Sequence, residues 1–595
     1  MNTRTFFTEL KRRRVYSVAV AYVVLAWLLI QVATQVFPFF DIPSWVVRLV
    51  VLLTIVGFPI AVVCSWAFEL TPEGIKLEGD VDRRITRRTG RKLTALVVVI
   101  AALAAGVTVF RFQHSQQTIA APKQPPLAVA IENNSIAVLP FANLSEEEAN
   151  AYFVSGMRDE ILTSLAQLRD LNVRSRTSTQ KYQSHPEDLG TLTRELGVAS
   201  VLEGSVQKAG DDVLINVQLI DTRSGQRLWA ESYRHNVQDI FGVQGEVAQK
   251  VADALKIKLA PAQEQRLLVA PTTNARAHDL FLRAHALGAH ADEQSLEGKI
   301  ALLQKAVAED PHYAMAWGDL AGAYLTIADA YRAPREVLSP MRHAALMAVR
   351  NDEGAGVGHI WLGAVSMLYD RNFPLAKREL ERAAALNPNS PDAHRWLGWY
   401  LARVERDFVA GREELQRARV LDPHYTWPIM FESYIEIARG EYESALQLAE
   451  QVMEIDPRFF YDVDPIANVY AAESRWQEAI KRYESLPLEL LVRPNFQLAI
   501  CYVHVGQTDR ARKMLADLDA LSQQRYVDQM HIAAIYAALG EKDKAYAALD
   551  RACEDRSARV STPRFYSWLA PLFTDARFAA LESTVAHSAI SDPGH

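Results

Sequence analysis

The sequence of 595 residues has only three cysteines, and this scarcity limits the chemistry open to it. Cys64, Cys501 and Cys553 form no CxxC pair and no cysteine–histidine cluster, so neither a disulfide framework nor a structural zinc site is encoded. A phosphate loop of the GxxxxGK[ST] type is also lacking after the strand SIAVLPF, where the loop ANLSEEEAN has no glycine and three consecutive glutamates. A GxSxG nucleophile elbow does not follow this strand either.

Basic charge is scarce beyond the amino-terminal part. Residues 1–112 contain 14 Lys and Arg against 7 Asp and Glu, which leaves 50 against 64 in the remainder. Because binding to a phosphate backbone needs clustered Lys and Arg, we predict no nucleic-acid partner. The hydrophobic content of 49% excludes a largely disordered chain, and the length predicts more than one folded unit.

Three uncharged stretches, at about residues 15–37, 49–68 and 93–110, are each long enough for a transmembrane helix. A cleaved signal peptide is the alternative for the first stretch, but a signal core has only about 7 to 15 apolar residues. Lys and Arg are concentrated at the amino terminus and in the loop after the second stretch. The positive-inside rule therefore places both of these parts in the cytoplasm. We therefore predict a membrane module over residues 1–112 in a bacterial inner membrane, with the large carboxy-terminal region in the periplasm.

A proline-bearing linker over residues 113–134 precedes a small α/β domain predicted over residues 135–260. The pattern gives a strand and a helix, a short strand and a short helix, three antiparallel strands around the turns KAGDD and TRSGQ, and a closing helix. Ser145 with Glu148 predicts a capping box at the start of the first helix. Trp229 and Tyr233, on one face of the last strand, are expected in the core.

Five segments of this domain carry a resemblance to a known family: SIAVLPFANLS, FVSGMRDEILTSLAQL, VLEGSV, VQLIDTRSGQRLWAESY and the closing helix. Together they are similar to the amino-terminal domain of TolB, a module of the bacterial envelope. The resemblance covers about residues 133–258 and implies binding without catalysis. The chain departs from TolB because no β-propeller follows, so TolB's own partners are not carried over. The stretch FFTELKRRRVYSVAVAYVVLAW also resembles a membrane module of bacterial tetratricopeptide proteins.

An internal repeat begins near residue 275. Pro311, Pro388, Pro423 and Pro457 each follow a helical pattern, with spacings of 77, 35 and 34 residues. The tetratricopeptide period is about 34, so the spacing of 77 predicts one extra repeat with an insertion near IADAYRAPREVLSP. We predict an all-α tetratricopeptide superhelix over residues 275–558, with Trp317 between its helices, and a cap and tail over residues 559–595.

Two groups of side chains are candidates for a site. His278, His285 and His290 lie near Asp279 and Asp292, but two helical turns separate the first two by roughly 10 Å, so one ion could not easily reach all three. We therefore predict no metal, no cofactor and no catalytic residue.

The second group, Arg395, Trp399 and Arg403, lies on one helical face away from the packing positions Leu397 and Gly398. Because Trp and Arg are enriched where proteins bind partners, this face is the candidate for partner binding. A solvated face with one exposed tryptophan is the alternative.

The sequence leaves two functions open. The first is a non-enzymatic scaffold that is integral to the membrane and binds proteins or peptides of the cell envelope through its repeat groove and its α/β domain. The second is a sensory protein that signals through a separate cytoplasmic partner. Since the predicted cytoplasmic parts are about 14 and about 22 residues long, too short for an enzyme or a DNA-binding domain, the scaffold is favoured.

The predicted topology can be tested with fusions to alkaline phosphatase, an enzyme that needs an oxidising compartment for its disulfides. A fusion after Gln117 is expected to be active, and a fusion after Arg88 is expected to be inactive. The opposite pattern of activity would overturn the predicted localisation.

Overall fold

The structure of the chain is a computed structural model that divides into two compact units, Met1–Pro126 and Leu127–His595. In the second unit it describes residues 132–145, 150–180, 182, 189–237, 240–287, 292–328, 330–457, 459, 464–486 and 495–587. In the first unit it describes Tyr22, Ala26, Thr54 and residues 68–71 and 74–77.

The described part of the first unit contains one short hairpin. Strand β1 (Phe68–Thr71) pairs antiparallel with β2 (Gly74–Leu77). No helix within the described ranges is both long and apolar enough to cross a bilayer. The three predicted spans lie outside the described residues apart from Tyr22, Ala26, Thr54 and Phe68, so the spans and their orientation stay predictions.

The second unit begins with a mixed sheet in the strand order β5-β3-β6-β7-β8. Its strands are β3 (Glu132–Val138), β4 (Ala142–Asn143), β5 (Asn172–Arg174), β6 (Val198–Ala209), β7 (Asp212–Asp221) and β8 (Arg227–Asn236). Strand β3 pairs parallel with β5 and β6, whereas β6, β7 and β8 form an antiparallel meander, and β4 extends the parallel pairing with β6. Gly210 and Gly225 adopt positive φ at the two turns that the sequence marked.

Helices cover this sheet. They are α1 (Ala151–Ala166), α2 (Arg176–Thr179), α3 (Leu189–Leu196) and α4 (Val243–Ala254). We call strands β3 to β8 with these helices the sheet domain. Tyr233 is buried and Trp229 is partly buried against the core, as expected.

The predicted capping box at Ser145 is wrong. Helix α1 starts after Asn150, and the Ser145 hydroxyl instead accepts a hydrogen bond from the backbone N–H of Lys208 at 3.0 Å. Ser145 therefore ties the strand end to β6 and is not the N-cap of α1. Its partner in the predicted box, Glu148, lies outside the described residues.

After α5 (Pro261–Leu267), helices follow in antiparallel pairs and form a tetratricopeptide-like superhelix, which we call the repeat stack. The pairs are α6 (Ala275–Ala286) with α7 (Glu293–Glu309), α8 (Ala314–Ile327) with α9 (Pro334–Asn351), α10 (Gly356–Val365) with α11 (Phe373–Leu386), α12 (Pro391–Tyr400) with α13 (Phe408–Leu421), α14 (Thr426–Arg439) with α15 (Tyr442–Ile455), α16 (Pro465–Ala472) with α17 (Trp476–Glu484), α18 (Phe496–His504) with α19 (Thr508–Ser522), and α20 (Gln529–Ala538) with α21 (Lys542–Glu554). The pair α8–α9 is the extra repeat predicted inside the 77-residue spacing. Three short 3₁₀ helices (Ala558–Ser561, Pro563–Phe565 and Ser567–Leu572) and helix α22 (Ala576–His587) end the described chain.

Two repeats, α10–α11 and α12–α13, contain a feature that the 34-residue repeat α14–α15 lacks. Helices α10 and α12 each continue into one π-helical turn, Ser366–Asp370 and Leu401–Glu405, whereas α14 is α-helical to its end. A π turn accommodates one additional residue in a helix. The extra residue of these repeats is therefore taken up at the carboxy-terminal end of their first helix.

The same two repeats share a buried histidine–glutamate pair. His359 Nδ1 lies 2.6 Å from a carboxylate oxygen of Glu379, and its Nε2 lies 2.8 Å from the carbonyl oxygen of Glu353. His394 repeats this arrangement 35 residues later with Glu414 at 2.5 Å and the carbonyl of Pro388 at 2.9 Å. Since both ring nitrogens of His359 face an acceptor, its imidazole is best satisfied as a cation. These pairs tie the first helix of a repeat to the second.

A continuous core joins the sheet domain to the repeat stack. Helix α1 packs on α6 at Gly156, where an added Cβ would lie 2.5 Å from the Leu282 side chain. The Asn389 side chain donates to the carbonyl oxygens of Leu168 and Leu171 at 2.8 and 2.7 Å. Further contacts across this joint are His278 Nε2 to Glu160 at 2.7 Å, Arg174 to the Val420 carbonyl at 2.6 Å, and the Ser178 hydroxyl to Asp422 at 2.7 Å.

The His359–Glu379 pair generates a pH-dependent prediction. Burial alone would lower the pKa of His359, but the hydrogen bonds to Glu379 and to the Glu353 carbonyl outweigh burial and raise that pKa above 6.5. Burial alone would raise the pKa of Glu379, but the His359 partner lowers it below 4.5. The histidine contribution to stability is complete below pH 6.5 and is lost as pH rises through the raised pKa. The glutamate contribution is complete above pH 4.5 and is lost at lower pH.

We therefore expect His359→Gln to lower the free energy of unfolding by on the order of 3 kcal/mol between these two pH values, and by less above them. Urea unfolding at a series of pH values measures the difference. His312→Gln is the matched control, because the His312 ring faces the neutral side chain of Asn351. A His359→Gln penalty that is the same at pH 5.5 and at pH 9 would contradict a charged pair.

Candidate functional site: an aromatic chamber inside the repeat stack

A large cavity of 2090 Å³ lies on the concave side of the repeat stack, and we call it the concave chamber. Its wall is formed mainly by the first helix of each pair from α8 to α18. Arg176 and Gln180 of the sheet domain lie at one part of the wall, and residues of the 3₁₀ segment lie at another. The chamber is thus bounded by the repeats, the sheet domain and the carboxy-terminal segment together.

Aromatic rings dominate the lining. Six of the eleven tryptophans of the chain lie here: Trp361, Trp396, Trp399, Trp427, Trp476 and Trp568. Many of the rings contact one another, as in the stacking of Trp399 on Phe431 with centroids 4.2 Å apart and the stacking of Trp476 on His504 at 4.0 Å. Aromatic side chains provide much contact area at a low entropic cost, so this wall suits a polypeptide or another ligand with apolar groups.

The charge of the lining is opposite to that of the surrounding region. Eight cations line the chamber, namely Arg176, Lys299, Arg395, Arg403, Arg406, Arg439, Arg559 and Arg564, against the four carboxylates of Asp292, Asp319, Asp392 and Asp456. The region after residue 112 as a whole has more acidic than basic residues. A cavity wall with excess positive charge favours ligands that bear carboxylates or other acceptors.

Arg395 is held rigidly in this wall. Its guanidinium donates to Asp392 at 2.7 and 3.1 Å, and the Tyr425 hydroxyl donates to the same carboxylate oxygen at 2.6 Å. The guanidinium also lies 4.5 Å from the centre of the Trp396 ring. Burial alone would lower the pKa of Arg395, but Tyr425 and Asp392 outweigh it and raise that pKa. Arg395 is therefore an oriented, permanently charged part of the wall.

The predicted face of Arg395, Trp399 and Arg403 does lie on the chamber wall, but its expected exposure to solvent is wrong. The three residues are only 7%, 5% and 5% exposed. For Trp399 and Arg403 the physical reason is the segment of residues 557–573, which we call the clasp and which folds back over this face. Arg395 is instead covered by the rings of Trp396, Tyr425 and Phe431. Partner binding by these residues stays a prediction.

The clasp contacts two side chains of this face, Arg403 and Trp399. Arg403 donates to the carbonyl oxygen of Ala558 at 2.6 Å, to the Ser561 hydroxyl at 3.2 Å and to the Thr562 hydroxyl. The Phe565 ring meets the Trp399 ring edge-on at 5.1 Å. The sequence pattern placed the face on its helix correctly but could not show that a segment some 160 residues further along covers it.

The base of the clasp closes the repeat stack on itself. The backbone N–H of Arg335 donates to the carbonyl of Asp555 at 3.1 Å, and Arg556 donates to the Tyr369 carbonyl at 2.9 Å. The end of the last helical pair therefore meets the second and third pairs. As a result, the end of the stack lies close to its beginning around the concave chamber.

The histidines that were weighed as metal ligands do not converge. His278 is buried against Glu160, whereas His285 lies 3.1 Å from Asp319 at the chamber wall, and His290 lies outside the described residues. Where the structure describes the chain, no group of three His, Cys, Asp or Glu side chains has the geometry to hold a metal ion.

Comparison with known sequences matches part of the chain. A family model for the second domain of HilA/YgeH-like transcriptional regulators matches residues 132–252, which lie almost entirely within the sheet domain. A putative adenylate cyclase 3 of Rhizobium meliloti (strain 1021) is 36% identical over 192 residues, which cover 32% of this chain. The match spans about a third (33%) of the length of that relative.

Solved structures of tetratricopeptide proteins resemble the chain at low similarity. The protein TTC0263 of Thermus thermophilus has 16% identity and a TM-score of 0.28, and it aligns over 33% of this chain and 99% of its own. YrrB, described as having an unusual peptide-binding site, has 20% identity and a TM-score of 0.22, with 31% of this chain and 87% of its own covered. At these scores no function is transferred.

The sequence places Trp317 between helices and Trp399 on a face away from the packing positions, so it predicts that Trp317→Ala is the more destabilising change. The burial of the two side chains in the structure reverses this order. Trp317 is only partly buried, with its indole N–H donating to the Pro311 carbonyl at 2.9 Å, whereas Trp399 lies between Phe431 and Phe565. We now expect Trp399→Ala to lower the free energy of unfolding by about 3–5 kcal/mol and Trp317→Ala to lower it by less. Chemical unfolding of the two variants in parallel measures both, and a larger loss for Trp317→Ala would refute the packing described for Trp399.

Proposed function

We propose that this protein is a non-enzymatic interaction scaffold of the bacterial inner membrane, whose concave chamber binds segments of proteins or peptides of the cell envelope. The observation that carries the proposal is the chamber itself. Its wall combines six tryptophans with an excess of arginine and lysine. Tryptophan and arginine are the residue types that contribute most to protein–protein binding energy.

The size of the chamber supports a polypeptide ligand. A cavity of 2090 Å³ exceeds the roughly 300–1,000 Å³ of sites that enclose a small molecule. The excess of cations favours a segment with carboxylates, and the aromatic wall favours a segment with apolar side chains. A stretch of chain with both kinds of residue satisfies both features.

The proposal also includes the location of the protein and the family that the sheet domain resembles. The uncharged stretches at 15–37, 49–68 and 93–110 with their basic flanks support a membrane anchor and a periplasmic position for the chamber. The motifs of residues 133–258 support a TolB amino-terminal-like domain, whose role is binding. The sheet domain would then add a second binding surface next to the chamber.

A signal-transducing role is the second candidate, and the comparisons favour it specifically. The sheet domain matches the second domain of HilA/YgeH-like transcriptional regulators, and a partial relative is named a putative adenylate cyclase. Similarity to proteins with these names suits a sensory part that reports to an effector. In this chain the effector would be a separate cytoplasmic partner. The prediction that the chain has no catalytic activity of its own stays a prediction.

Charge reversal in the chamber tests the proposed function. Arg406 and Arg439 line the chamber and are exposed, so replacing both with Glu changes the charge of the wall. Glu436, the buried partner of Arg439, keeps its second partner, Arg412. We expect Arg406→Glu/Arg439→Glu to lower the recovery of bound proteins from solubilised membranes by about tenfold or more, equivalent to about 1.4 kcal/mol. Affinity capture with quantitative mass spectrometry measures the recovery.

The control for this experiment carries the same charge change on the outer helices. Arg417 on α13 and Lys513 on α19 are exposed and are not part of the chamber wall. Arg417→Glu/Lys513→Glu should recover the same proteins as the wild type. Equal recovery by all three chains would mean that the chamber is not the binding site.

A further inference from the structure

The clasp shows which chemical groups the Arg403–Trp399 face accepts. Its contacts to Arg403 are a carbonyl oxygen and two hydroxyls, those of Ser561 and Thr562, and its contact to Trp399 is the ring of Phe565. Thr562 and Phe565 are three positions apart, with Pro563 between them. The face therefore binds a short turn of polypeptide with a hydroxyl residue followed by an aromatic residue.

The clasp is held firmly at its ends and less firmly in the middle. Val560, Leu569 and Leu572 are fully buried and belong to the core of the last repeats. Thr562, Phe565 and Tyr566 between them are only partly buried, and Arg564 is exposed. We call residues 562–566 the clasp tip.

The start of the clasp has an anchor that does not involve the chamber face. The buried carboxylate of Asp528 accepts from the Ser557 hydroxyl at 3.1 Å and from Arg559 at 2.8 Å. The tip can therefore leave the face while both ends of the clasp remain packed. Local opening of this kind costs less free energy than global unfolding.

We propose that the clasp tip is a built-in competitor for the Arg403–Trp399 face, and that the partner presents a Ser or Thr followed three residues later by an aromatic residue. The proposal rests on the proposed function and names the ligand chemistry at one face of the chamber. The partner supplies the hydroxyl for Arg403 and the ring for Trp399 that Thr562 and Phe565 of the tip supply in its absence, while Arg403 keeps its bonds to Ala558 and Ser561 at the packed start of the clasp. Because the tip is tethered, it competes at a high effective concentration and lowers the apparent affinity of the partner.

The probe for this competition is a fluorescein-labelled peptide with the sequence of residues 557–568, SARVSTPRFYSW. It is titrated into the full-length chain in detergent and followed by fluorescence anisotropy. In Thr562→Val/Phe565→Ala the tethered tip loses its contacts, so the face is free for the added peptide. We expect this variant to bind the peptide at least about tenfold more tightly than the wild type does.

Two controls locate the binding. A peptide that carries Phe565→Ala should lose the gain in affinity, because it lacks the ring for Trp399. Arg510→Gln removes an ion pair with Glu484 at 2.8 Å that does not involve the clasp, so this variant should bind the peptide as weakly as the wild type. Equal affinity of the wild type and the Thr562→Val/Phe565→Ala variant for the peptide, or no binding by either, would overturn the proposal that the tip is a competitor.

Hydrogen exchange on the unmodified chain provides a measurement that does not depend on a folded variant. The backbone amides of the clasp tip should exchange faster than those of α20 and α21. Protection of the tip equal to that of these helices would make the clasp a fixed part of the fold and overturn the proposal. The proposed function would still stand if capture remained sensitive to Arg406→Glu/Arg439→Glu, so the two failures are distinguishable.

Discussion

A stack of helical pairs buries the apolar face of each pair only against its neighbours, so the first and last pairs need a cover of another kind. In this protein the sheet domain covers the first pair, where α1 approaches α6 so closely that Gly156 has no room for a side chain. Helix α22 covers the last pair with Phe578, Leu581 and Val585. The sheet domain also contributes Arg176 to the concave chamber. Helix α22 positions Arg564 at the chamber through the ion pair with Glu582.

The repeat architecture could be predicted because the physics of stacking imposes a period. Spacings of 35 and 34 residues between prolines located the pairs, and the spacing of 77 revealed the pair α8–α9. The one-residue difference between the spacings of 35 and 34 has a structural cause, which the period alone does not reveal. It appears in the structure as the π turns that end at Arg371 and Arg406, whereas the shorter repeat has Gly440 at this turn.

The candidate site was predicted only in part, because helical periodicity defines a face but not what covers it. Arg395, Trp399 and Arg403 share the predicted face, yet the clasp covers Trp399 and Arg403, and neighbouring aromatic rings cover Arg395. The clasp has no helical or strand period and contains Pro563 and Pro571, so no local pattern gives its path. The prediction for Ser145 was wrong for a related reason. The local sequence fitted a helix cap, but the Ser145 hydroxyl accepts a hydrogen bond from a distant part of the chain, the backbone N–H of Lys208.

Contacts between the sheet domain and the repeat stack at the chamber wall bear on the proposed signalling role as well as on the proposed binding. The chamber wall includes Arg176 of the sheet domain, which pairs with Asp159 at 2.7 Å, and His285, which lies 3.6 Å from the same Asp159 and 3.1 Å from Asp319 of the stack. A ligand carboxylate near this part of the wall would compete for Arg176 and so act on both domains at once. Because the two domains share one close-packed core, such a change would act on packed elements and not on a linker. If the chamber binds a protein as proposed, this part of the wall is where that binding would reach the sheet domain.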